Sequence, residues 1–135
     1  MTINLKDIAI ETRQIEAEYP GMPNFKVKLN FVSRKATRKM LEDSMVDKWE
    51  NGTLIKRQDD DKFLEVFVTR TIAGWSGLTI GDVEKIMLIE TDKDPETPVE
   101  FSVDNAMMLV RHSPSFDSWI NETVFQLDTF RSHKS

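Results

Sequence analysis

Asp92-Lys93-Asp94-Pro95-Glu96 sets three carboxylates at alternate positions, the opening spacing of a calcium loop. Such a loop also needs a glycine at its sixth position and a closing glutamate at its twelfth. Thr97 and Val103 stand there, so the segment reads as a solvated loop. Asp59, Asp60 and Asp61 read as charge at a helix start, where the macrodipole favours anions. His112 and His133 are the chain's two histidines, and neither has a second metal ligand or catalytic partner close in sequence. His112 falls near a helix C-terminus, where the dipole favours a cation. Ser113-Pro114-Ser115 lacks the glycines of a nucleophile elbow. Gly74, Gly77 and Gly81 make no phosphate loop, because Trp75 fills the first gap and no Gly-Lys-Ser/Thr follows. With 23 acidic residues in 135, chance carboxylate pairs are certain, so a glycosidase-like pair carries no signal. The absence of cysteine excludes disulfides and thiolate catalysis. The residue chemistry therefore points to a non-enzymatic protein with no cofactor and no metal.

The elements that would position these residues emerge from periodicity. The length suits one domain over residues 1–135. Ile8-Ala9-Ile10-Glu11 is a short candidate strand, which Thr12 to Tyr19 continue or follow with a second. Pro20-Gly21-Met22-Pro23-Asn24 is turn chemistry. Phe25 to Val32 alternates strictly, with Phe25, Val27, Leu29 and Phe31 on one face. Ser33 caps an expected helix from Arg34 to Trp49, broken by Asn51-Gly52. Phe63, Leu64, Phe67, Val68, Thr71 and Ile72 form the face of the next helix, expected to run to about Gly74. Thr79-Ile80-Gly81-Asp82 resembles a capping box, with Val83, Ile86 and Met87 inward. Thr91 to Pro98 is a charged loop. Ser102 caps a helix through Arg111, and Pro114 starts another with Phe116, Trp119, Ile120, Val124, Leu127 and Phe130 on one stripe. The expectation is an α+β fold, mainly α: a β-hairpin region over 1–32 packed on a bundle of about five helices over 33–131, then a frayed tail at 132–135.

The net charge of −5 disfavours nucleic acid. The one basic cluster, Arg34, Lys35, Arg38 and Lys39, runs straight into Glu42, Asp43 and Asp47. No segment approaches the ~20 apolar residues of a membrane span, and the N-terminus lacks a signal-peptide core, so no membrane partner is expected.

Certain segments resemble a known family. Trp75-Ser76-Gly77-Leu78, the loop from Thr91 to Pro98, Val99-Glu100-Phe101-Ser102, the run Asn105 to Val110, and Phe116-Asp117-Ser118-Trp119-Ile120 succeed one another. Tyr19-Pro20-Gly21, the Phe25 to Val32 strand and Ser33-Arg34-Lys35 precede them. Together, over roughly residues 19 to 130, the chain resembles the tail assembly chaperones of long-tailed bacteriophages. Ala36 departs from the pattern, where a glutamate often follows the Ser-Arg step.

The resemblance implies a non-enzymatic chaperone that binds the apolar, helical tape measure protein and keeps it soluble until the tail tube polymerises. It implies residence in the host cytoplasm and absence from the mature virion. The tail tube protein and further copies of the chain are additional candidate partners. Met107 and Met108 sit in an apolar run too wide for one helix face, so they lead the candidate partner-binding residues, with Val110, Arg111, Phe116 and Trp119. Trp75, Gly77 and Leu78 are expected as fold anchors. Two alternatives stay open: a virion structural protein such as a head–tail connector or tail terminator, and a small helix-turn-helix regulator, which the acidic balance disfavours.

Overall fold

The computed structural model describes residues 2–10 and 12–131, apart from the side chains of Asp128 and Thr129. The expected frayed tail at 132–135, His133 and Glu11 lie outside the described residues. The strand expected over Ile8 to Glu11 is not seen among the described residues: Ile8 ends a short helix α1 (Leu5–Ile8), and Ala9 and Ile10 lie in no strand. Strands β1 (Gln14–Tyr19) and β2 (Met22–Asn30) form the expected antiparallel hairpin. Phe25, Val27 and Leu29 are fully buried on its inner face, as the alternation requires.

The expected helical bundle does not form. Helix α2 (Arg34–Asp43) ends after ten residues, and a second hairpin takes over, β3 (Met45–Glu50) with β4 (Thr53–Gln58). Asn51 and Gly52, at φ 52° and 78°, form its two-residue turn. Asn-Gly with both residues at positive φ is the type I′ turn whose twist matches paired strands, so the dipeptide makes a hairpin rather than only ending a helix. Ser44, buried at the junction, fixes the switch. Its hydroxyl donates to the Leu41 carbonyl at 3.0 Å and accepts from the Gln58 amide.

Helix α3 (Asp60–Thr71) begins at the Asp59 cap but stops short of Gly74. It passes directly into strand β5 (Ile72–Ser76), which pairs with β2 to give a three-stranded sheet of order β1-β2-β5. Helices α4 (Ile80–Ile86), α5 (Val103–His112) and α6 (Pro114–Val124) come next, each capped by a side-chain hydroxyl, from Thr79, Ser102 and Ser113. The long stripe expected to Phe130 is interrupted after Val124, and a 3-10 turn covers Leu127–Phe130. The chain is thus α+β with two antiparallel sheets, not a mainly helical bundle. No helix among the described residues is long and apolar enough to cross a membrane.

The core lies between the inner face of the first sheet and helices α3, α5 and α6. Phe25 stacks on Phe116 with ring centroids 6.1 Å apart, and Tyr19 meets the edge of Trp119 at 5.0 Å. Tyr19 keeps its polar end satisfied by donating to Ser115 Oγ at 2.9 Å.

Candidate functional site

Several of the segments that carry the resemblance, which succeed one another between Trp75 and Val110, line one apolar cleft of about 200 Å³. Its walls include Trp75 and Leu78 from the β5–α4 junction, Val83 and Met87 from α4 and its end, Val99 from the returning loop, and Met108 from α5. Each wall is placed by a specific device. The Trp75 indole N–H donates to the Val99 carbonyl at 2.9 Å, and its ring meets Phe25 at 5.8 Å and Phe101 at 5.1 Å, both edge-on. Trp75 is half-buried, so one ring both anchors the sheet and faces the cleft.

Backbone hydrogen bonds stitch the junction to the loop. Val99 N–H donates to the Leu78 carbonyl at 2.8 Å, Ile80 N–H to Thr97 at 3.0 Å and Gly81 N–H to Pro95 at 2.8 Å. The charged loop is therefore pinned at its proline end. Gly77 turns the chain into this arrangement at φ 77°, and a Cβ there would lie 1.7 Å from the Asn24 carbonyl oxygen. Only glycine fits. Leu78 is buried beside it.

Of the expected partner-binding residues, Met108 is the one placed at the cleft and open to solvent, at 43% exposed. Met107 is half-buried against the core. Val110 and Phe116 are buried, Phe116 completely. The apolar run on α5 thus divides as its width demanded: Ala106, Leu109 and Val110 face inward and Met108 outward. Trp119 is half-buried against Tyr19 and Phe116. Arg111 is exposed and bridges Asp61 at 3.2 Å, joining α5 to the start of α3. Met87, Val99 and Leu88, the last 99% exposed beside the cleft residues Met87 and Ile89, were not expected as site residues. Met87 was read as an inward residue of the α4 helix, which it caps at the C-terminal end, whereas Leu88 and Val99 come from a loop with no periodicity to mark them.

Asp43, at the end of α2, lies between Arg70 and Lys39. The hydrogen bond from Arg70, then that from Lys39, holds its carboxyl below the ordinary value. Among the described residues no cluster of histidine and acidic side chains is arranged to hold a metal. Comparison with family models, with curated proteins and with solved structures found no match.

Proposed function

We propose that this chain is a tail assembly chaperone that binds the helical tape measure protein and keeps it soluble before tube polymerisation. The observation that carries the reading is the convergence of Trp75, Leu78, Val99, Asn105 and Met108 on one apolar cleft. These residues belong to the very segments on which the family resemblance rests. A tape measure chain presents apolar stripes along helices, and a cleft walled by Met87, Met108, aliphatic side chains and the Trp75 ring accepts varied apolar side chains. The cleft is smaller than the ~300–1,000 Å³ of drug-sized ligand sites, so it takes one large side chain at a time. Many modest contacts along one client would cover it and still yield to tube subunits.

Co-expression with the cognate tape measure protein tests the reading. The client's soluble fraction rises with the intact chain and falls back with Met108→Asp, which puts a charge at the cleft mouth. If no complex co-elutes and the client's solubility is unchanged, the proposal fails.

A further inference from the structure

The basic cluster on α2 is a motif that the proposed function leaves unused. Two of its members, Lys35 and Lys39, line a second cavity, of about 420 Å³, between the end of β2, α2 and the last turn of α3. One side of this cavity is apolar. Phe31 and Val32, which follow β2, meet Ala36 and Met40 from α2, and both Val32 and Met40 are buried. The other side is cationic, with Arg70 of α3 joining the lysines. No acidic side chain belongs to the described lining.

The cations are held in place. Asp43, from outside the lining, pairs with Lys39 at 3.0 Å and with Arg70. The Asn30 side-chain amide donates to the Arg70 carbonyl at 3.0 Å and so ties β2 to the end of α3. Lys39 and Arg70 thus share one carboxylate, and one further negative charge balances the pair. Donors remain for it, since a guanidinium carries five N–H groups and an ammonium three. The volume lies within the ~300–1,000 Å³ of small-molecule sites. The Trp75–Met108 cleft differs on both counts, being half as large and lined by no charged side chain.

We propose that this cavity binds a small organic carboxylate. Its apolar body lies against Phe31, Val32, Ala36 and Met40, and its carboxylate bridges Lys39 and Arg70 opposite Asp43. Arginine's planar fork matches a carboxylate, and a preformed pair of cations lowers the cost of ordering the site. The proposal does not rest on the tape measure reading, because it concerns another part of the surface.

Calorimetric titration of the full chain with octanoate tests it. One octanoate binds per chain, and added salt weakens the binding. Octanol keeps the body and lacks the charge, while acetate keeps the charge and lacks the body. Each binds about tenfold more weakly or worse, as loss of a charged hydrogen bond or of apolar burial requires. Amide resonances of Ala36, Met40 and Arg70 shift on titration, and those of Met87 and Met108 do not. Lys39→Gln, at an exposed position, weakens octanoate about tenfold and leaves octanol unchanged, a split that general loss of structure does not produce. The octanol and acetate comparisons use the wild-type chain, so they decide the matter even if that variant fails to fold. Octanoate that does not saturate, or that binds no better than octanol, overturns the proposal. So do shifts centred on Met108, or a folded Lys39→Gln that binds octanoate like the wild type.

Discussion

At the scale of single residues, Gly77 and Gly74 look alike in sequence and differ in physics. Gly77 combines a φ of 77° with a backbone oxygen where a Cβ would stand. Gly74, in β5, has open space at that position. Gly77→Ala is expected to destabilise the fold by ~2–5 kcal/mol, from left-handed strain and overpacking together. Gly74→Ala is expected to change stability by less than ~1 kcal/mol. Urea unfolding of the two variants checks the contrast, and equal losses would contradict the assigned role of Gly77. Trp75 separates similarly into two parts. Trp75→Phe keeps a ring against Phe25 and Phe101 but removes the donor to Val99, for a loss of ~1 kcal/mol. Trp75→Ala removes the ring as well, for ~3–5 kcal/mol.

At the scale of elements, the features legible in the sequence were local, and those hidden in it were long-range. Ser33, Thr79 and Ser102 announce the helices they cap, and each accepts the expected backbone N–H three residues on. The strict alternation of Phe25 to Phe31 gives β2 with its buried face. The stretch from Met40 to Trp49 reads as one helical stripe, but the Ser44 cap ends α2 and the Asn51-Gly52 turn pairs Met45 to Glu50 as a strand. Gly74-Trp75 likewise reads as a helix end until β2 is there to pair with it. The cleft was half legible: the width of the α5 apolar run allowed burial on both faces or an exposed part, and Met108 is the exposed one, whereas Val99 reaches the cleft only through the folded loop. The link from α2 to α3 has its own signature. Asp43 is ionised more readily than an ordinary carboxylate because Arg70 and Lys39 bond to it. A depressed folded-state value stabilises the protein above the unfolded value, and that contribution is lost as pH falls through the folded one. Asp43→Asn is therefore expected to lower stability at neutral pH and to reduce the further loss on acidification below the ordinary aspartate range. Thermal unfolding across that range, compared with wild type, checks it. A variant with an unchanged acid profile would remove Asp43 as the cause.

At the scale of the whole molecule, the proposed client site exists only in the folded chain. Trp75 and Leu78 come from the β5–α4 junction, Met87 from the end of α4, Val99 from the returning loop and Met108 from α5. A client that binds the folded chain and not the unfolded one stabilises it by mass action. With an apolar helical segment of a tape measure protein, the thermal unfolding midpoint is therefore expected to rise as the segment is added. Met108→Asp, at an exposed position of the cleft, is expected to keep the fold and abolish that rise. A midpoint that stays flat as the segment is added to the wild type, or that rises equally in the variant, would remove this cleft as the client's site.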